Sequence, residues 1–300
     1  MAAAATCLLL LSSCSHAEKP ADDDRAMVAE SIENLEMQAD KLAAGTGASC
    51  PQEFSALETG RTLRISMFYG YDNYEGRAHD RVNARSMSHV LTGKCRGKLS
   101  ACGFSIVSGS KSAVRLMRTL DGRKVEINLF TSSLTDDAKE GMNPDVMYWE
   151  QDKLSRSVKA SFYRELVESD IVFYMGHSRL GGGMEFNAQT GVTTLFNGIF
   201  RFLMLPVLEA LRQRPTKLKM IGMFSCDSNK YFRHDFHGAN PSLSLILTTG
   251  DIYARRAEQA SLGALDAVLS KKCARAFHES MMSVNVPNPG MTHLIRGQPG

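Results

Sequence analysis

Two short blocks of this sequence hold residue types suited to nucleophilic chemistry. Residues 176–183 read Gly-His-Ser-Arg-Leu-Gly-Gly-Gly, and residues 225–228 read Ser-Cys-Asp-Ser. Each follows at once on an apolar run, Ile171–Met175 in the first case and Leu218–Phe224 in the second. A thiol beside an imidazole is activated because proton transfer to nitrogen leaves the thiolate, which is the attacking species. The pair His177 and Cys226 therefore suits acyl transfer. Glycines next to His177 let a substrate backbone come close, and the turns after both runs can aim N–H groups at an oxyanion.

The same residues admit two other chemistries. Gly176-His177-Ser178-Arg179-Leu180 approaches the Gly-x-Ser-x-Gly nucleophile elbow, with Leu180 where the last glycine of that motif permits its tight turn. A Ser178 hydrolase or esterase of that kind would draw its base from His278 or His293. His234-Asp235-Phe236-His237 sets two imidazoles three apart, a short way downstream of Cys226. A lone His-x-x-His pair without a second well-spaced pair does not build a zinc site, and neither metal nor organic cofactor is expected. Taken singly, a cysteine after an apolar strand is a small core residue, and a histidine there is a satisfied structural group. The glycine run and the order of the strands are what join the two.

That order comes from the hydrophobic pattern. Leu63–Tyr69, Ile171–Met175, Leu218–Phe224 and Leu243–Leu247 are short apolar runs that predict buried strands. Helical spacing is predicted over His79–Leu91, Glu150–Glu168, Val192–Gln213 with a break near Pro206, Glu258–Leu269 and Lys272–Met281. Ala113–Leu120 and Lys124–Phe130 flank Asp121-Gly122 and predict a hairpin whose second arm joins the main sheet, after a short run over Gly103–Val107. Strands alternating with helices predict an α/β fold, a mostly parallel sheet with helices on both faces. In such sheets ligands bind beyond the carboxyl ends of the strands, where His177 and Cys226 fall.

Val172–Ser178 and Ile221–Cys226, each an apolar strand running into its His or Cys block, resemble in order and setting the caspase-hemoglobinase-like fold of clan CD cysteine peptidases. The resemblance implies Cys226 as nucleophile and His177 as general base and later acid, with the backbone N–H groups of Ser178 and Cys226 as the oxyanion hole, acting on a peptide or protein substrate. Ser178 stands where that family usually has glycine, and Phe224 stands where caspases have glutamine, so no Asp-selective pocket is implied. Glu185, Asp227 and Asp251 are the candidates for an acidic pocket wall. The resemblance also allows a catalytically inactive protein that binds peptide or envelope components on the same fold.

The N-terminus reads as an export signal. Residues 1–14 are a short apolar run ending Leu-Ser-Ser-Cys, far short of the roughly 20 apolar residues that a membrane-spanning helix needs. This ending resembles a bacterial lipobox, with Cys14 as the first mature residue, acylated by palmitate-type chains. Ser15 rather than Asp after it implies a lipoprotein sorted to the outer membrane. An acidic tether with a predicted helix from Asp22–Asp24 to about Ala44 follows over 15–60, and 61–300 is the α/β domain.

Composition agrees with this division. The chain has 300 residues, 43% hydrophobic and 22% charged, which is ample for a core. Its net charge of +3 conceals a split: residues 1–60 hold 10 Asp and Glu against 3 Lys and Arg, a charge of −7, which leaves +10 for 61–300. The basic residues are scattered without a Lys/Arg run, which excludes a nucleic-acid footprint. The acidic segment suits a tether helix that docks on the domain or stays solvated, or a cover for a basic groove. Of seven cysteines, Cys7 goes with the signal, Cys14 with the anchor and Cys226 with chemistry. Cys50, Cys95, Cys102 and Cys273 are left for two disulfides in any of three pairings, of which Cys95 with Cys102 is the local one.

Overall fold

The computed structural model describes residues 24–45, 47–71, 79–134, 148–187, 191–213, 215–284 and 291–297. Eight strands form one sheet: β1 Thr62–Tyr69, β2 Ser105–Gly109, β3 Ala113–Leu120, β4 Arg123–Thr131, β5 Ile171–Met175, β6 Met220–Phe224, β7 Ser244–Thr249 and β8 Met291–Ile295. Their order is β2-β3-β4-β1-β5-β6-β7-β8. The five strands from β4 to β7 run parallel, while β2, β3 and β8 are antiparallel additions at the two flanks. The chain steps from β1 to β4 in one direction and then through β5, β6 and β7 in the other. The order therefore reverses beside β1 and β5, which is where an open parallel sheet forms its crevice.

Alternation along the strands builds two cores. Ile171, Phe173 and Met175 of β5, with Met220 and Phe224 of β6, pack under helices α1 Asp24–Ala44, α2 His79–Thr92, α7 Ala254–Leu269 and α8 Ala274–Met281. Val172 and Tyr174, with Ile221 and Met223, pack under α3 Tyr148–Glu168, α5 Met204–Arg212 and α6 Ser228–Ala239. Every residue of β5 and β6 is buried, as continuous apolar strands covered on both faces must be. Gly222 in mid-strand makes room for the edge-to-face pair of Phe173 and Phe224, because a Cβ there would lie 2.8 Å from the Phe173 ring. The Asp121-Gly122 turn has both residues at positive φ, the backbone that a two-residue hairpin requires.

Several expectations need revision. The apolar stretch 192–213 is two helices, α4 Gly191–Phe200 and α5, and the break falls at Arg201 in left-handed conformation rather than near Pro206. Pro206 sits in the first turn of α5, where its missing N–H would have had no helical partner. Over its described part the acidic segment docks on the domain, one of the alternatives the sequence left open. Leu35, Ala39 and Leu42 of α1, and Phe54 and Leu57 of a 3-10 helix over Pro51–Leu57, belong to the same core as β1 and α7. Glu30 pairs with Arg255 at 2.7 Å and Asp40 with Arg96 at 3.0 Å, so the charge split is met by ion pairs beside α7 and α2 rather than over a groove. Disulfides join Cys50 to Cys273 and Cys95 to Cys102. Cys14 and the signal expectation lie outside the described residues. Among the described residues no helix is long and apolar enough to cross a membrane.

Candidate functional site

β5 and β6 pair in register up to Met175 opposite Phe224. His177 and Cys226 each lie two residues past that rung, on strands about 4.8 Å apart. Cys226 packs against the core under α1, α2 and α7, while His177 follows the bend at Gly176, past the end of β5. Both residues are half-buried, and Cys226 is the one described cysteine outside a disulfide.

The turn carrying Cys226 is held from beneath. Ser228 Oγ donates to Met223 O at 2.7 Å and accepts the Thr248 N–H at 2.8 Å, tying the start of α6 to β7. Asp227 sits at φ +51 and exchanges two hydrogen bonds with Gly250: its N–H donates to Gly250 O and its Oδ1 accepts the Gly250 N–H, both at 2.9 Å. This fixes the loop after β7, whose Ile252 O lies 3.7 Å from Cys226 Sγ. Cys226 immediately precedes the cap of the 12-residue α6, and the positive end of that helix dipole favours a thiolate there.

The turn carrying His177 is strained and pinned from the other face. Gly176, Arg179, Leu180, Gly181 and Gly183 all have positive φ, and the two that are not glycine occupy a region that L-residues enter only when the surroundings impose it. Tyr174, fully buried, accepts the Glu185 N–H on its hydroxyl at 3.1 Å and reaches His177 O at 3.2 Å. A Cβ on Gly176 would meet that hydroxyl at 2.7 Å, so glycine is required. The glycine run serves the protein's own packing rather than a substrate. Gly181 lies against Tyr231, where a Cβ would come to 2.8 Å, and Gly183 lies against Leu203 at 2.9 Å.

Arg201 joins the two turns, a role that sequence reasoning missed. Its Nε donates to Gly181 O at 2.9 Å, its Nη2 donates to Tyr231 O at 3.2 Å, and it pairs with Asp235 at 2.6 Å. The His loop is thereby fastened to the helix that follows the Cys. The available signal was that Arg201 is the sole charge in the apolar stretch from Phe186 to Leu208.

The remaining candidates fall on two sides of the pair. Asp227 and Asp251 are half-buried in the turns after β6 and β7. Glu185 is buried on the β1 side, and its Oε1 accepts the N–H groups of Phe186 at 3.0 Å and Asn187 at 3.1 Å. Burial pushes its carboxyl above the usual range, against the pull of the Phe186 N–H and of Lys159 and Arg179. Ser178 is buried, and its N–H makes no hydrogen bond among the described residues. The bases considered for a Ser178 hydrolase are remote. His293 lies on β8 opposite Leu247, three strands and about 14 Å from β5, and His278 stacks on it at 5.9 Å. Among the described residues no three His, Cys, Asp or Glu side chains converge as a metal site. Comparison of the chain with protein-family models and with curated proteins gives no match.

Proposed function

We propose that this protein is an exported lipoprotein, anchored through Cys14 at the bacterial outer membrane, whose caspase-like domain is a cysteine endopeptidase using Cys226 and His177. The observation that carries the enzymatic part is the placement of the two residues. They lie two positions past the same paired rung of adjacent parallel strands, and Cys226 is outside both disulfides. His177 takes the Sγ proton and the thiolate attacks the scissile carbonyl carbon. The resulting oxyanion is held by the N–H groups of Ser178 and Cys226. As the C–N bond breaks, His177 returns the proton to the leaving amine, and a thioester remains on Cys226. Water, deprotonated by His177, then releases the acid and restores the thiol. Tyr174, Asp227 and Arg201 act as positioning residues, since each holds a turn and none is placed on the reacting atoms.

Thiol labelling and peptide turnover test this together. Cys226→Ala abolishes turnover and removes the fast-labelling thiol. His177→Ala keeps the thiol but lowers turnover by about 100-fold or more and slows its labelling, the usual size of a general-base contribution. Ser178→Ala leaves turnover within a few-fold, because its backbone N–H remains. Slow labelling that is equal in wild type and His177→Ala, with no turnover of mixed peptides, would instead mark a silent binding protein on this fold. For the anchor, mass spectrometry of the wild-type chain is expected to show an acylated Cys14 at its N-terminus. Cys14→Ala protein is expected to show no acyl mass.

A further inference from the structure

We infer that the ridge formed by α4 and the segment after it, to Leu205, is a second membrane contact, which lays the carboxyl edge of the sheet against a lipid bilayer. Leu195, Phe196, Ile199 and Phe200 share one face of α4 and, with Phe202 and Leu205, are each 46 to 63% exposed. The rings cover one another rather than line a groove. Phe196 and Phe200 are 4.5 Å apart, and Phe200 stacks on Phe202 at 5.6 Å. The main contact of α4 with another element is the turn Arg179–Gly181 of the His177 loop, so the helix projects beyond the sheet. Arg201, the sole charge from Phe186 to Leu208, is turned inward onto Asp235, Gly181 and Tyr231. An exposed apolar helix face of this size marks a contact with a membrane or a partner.

The position of the chain's start selects a bilayer over a protein partner. Helix α1 begins at the same edge of the sheet. Glu30 pairs with Arg255, and Ser31 donates to Glu258, both in the first turns of α7, directly after the loop that touches Cys226. Cys14 lies ten residues before Asp24, a span of at most about 36 Å. An anchor at Cys14 therefore joins the domain at the edge that carries the ridge and brings that edge within reach of the membrane. Acyl chains on Cys14 attach the chain without orienting it, and a second apolar contact fixes orientation. Substrates would then reach the site from the membrane surface.

This choice of partner rests on the lipid-anchor reading, and the test separates the two. The full chain with Cys14→Ala, which carries no lipid, is mixed with vesicles of phosphatidylcholine alone and with vesicles of phosphatidylethanolamine and phosphatidylglycerol, and co-sedimentation is measured. It is expected to bind both, because the contact is apolar. Phe196→Ser combined with Phe200→Ser lowers binding about tenfold or more. Should that variant misfold, Ile199→Glu with Leu205→Glu, at the most exposed positions, gives the same loss while the rate of Cys226 labelling is kept. Absence of vesicle binding by the Cys14→Ala chain overturns the proposal, as does equal binding by the ridge variants. Concentration-dependent dimerisation that the ridge variants abolish also overturns it, by assigning the ridge to a second copy. The acyl mass on Cys14 of the wild-type chain tests the anchor alone, and neither result depends on turnover.

Discussion

Helix α7 carries a buried carboxylate near each end, and the two have opposite surroundings. Asp266, at the end toward the amino edge of the sheet, accepts the N–H groups of Ser100 at 2.7 Å and Ala101 at 3.2 Å and pairs with Lys272 at 2.8 Å. Close by, Cys273 is bonded to Cys50. Glu258, at the end toward the carboxyl edge, receives one hydrogen bond from Ser31, and its Oε1 is buried with no partner among the described residues. The Tyr69 hydroxyl, at the end of β1, and Nη1 of Arg256 are buried and unpartnered there too. Arg179, Leu180 and Asp227 hold left-handed backbone at that same edge. One end of α7 is satisfied and lies beside a cross-link, while the other stores desolvation at the edge that carries the thiol. Functional sites concentrate such costs because the rest of the fold imposes them.

The largest effect belongs to the satisfied end. Asp266→Ala leaves Lys272 charged and buried and strands two N–H groups, so it is expected to destabilise by about 3 to 5 kcal/mol in urea unfolding. Lys272 also donates to Ser280 at 2.9 Å, so α8 loosens with it. A loss under about 1 kcal/mol would mean that this end of α7 is no better satisfied than the other.

Glu258 is expected to respond in the opposite sense, and only above acid pH. Burial raises its carboxyl well above the usual range, against the pull of the Ser31 hydroxyl and the Arg255 charge. The unfolded chain gives up this proton near about pH 4.3, while the folded chain retains it to a higher pH. Stability from this group is thus full below the unfolded value and falls as pH rises toward the folded one, by about 1.4 kcal/mol per pH unit within that window. Glu258→Gln removes the ionisation and keeps an acceptor for Ser31. It should match wild type at about pH 4 and exceed it increasingly toward about pH 7, measured by urea midpoints across pH. A difference that does not change with pH would show that Glu258 is not held protonated.

What the sequence made legible follows the same division. The ends of β5 and β6, with His177 and Cys226, were readable because each strand is a five-residue apolar run broken at once by polar and glycine residues. The Asp121-Gly122 hairpin was readable because its turn chemistry is local. β8 was not, since Met291–Ile295 is a five-residue flank strand whose pairing with β7 is set by tertiary contact. The docking of α1 was half legible. Its buried face mixes Leu35, Ala39 and Leu42 with Ser31, Asn34 and Gln38, whose partners lie more than 200 residues away for Ser31 and Gln38. The glycine run looked open to substrate because nothing local announces Tyr231 or Leu203 as the neighbours that fill the space.

The smallest effect tests whether strain is stored in the His177 loop. Leu180 is 46% exposed at φ +53 and ψ +33, so little packing is lost on truncation. A left-handed L-residue costs roughly 1 to 2 kcal/mol, and glycine escapes that cost at an entropic penalty of about 0.5 to 1 kcal/mol. Leu180→Gly is therefore expected to stabilise by about 0.5 to 1 kcal/mol, raising the melting temperature by about 1 to 4 °C. Leu180→Ala makes nearly the same side-chain truncation but keeps the Cβ that opposes this backbone, so it should show no such gain. The difference between the two variants isolates the backbone from the contact with Gly198, whose absent side chain leaves room for Leu180. If glycine and alanine give the same melting temperature, the loop holds its conformation without strain. The contrast between the two ends of α7 would then rest on the buried polar atoms alone.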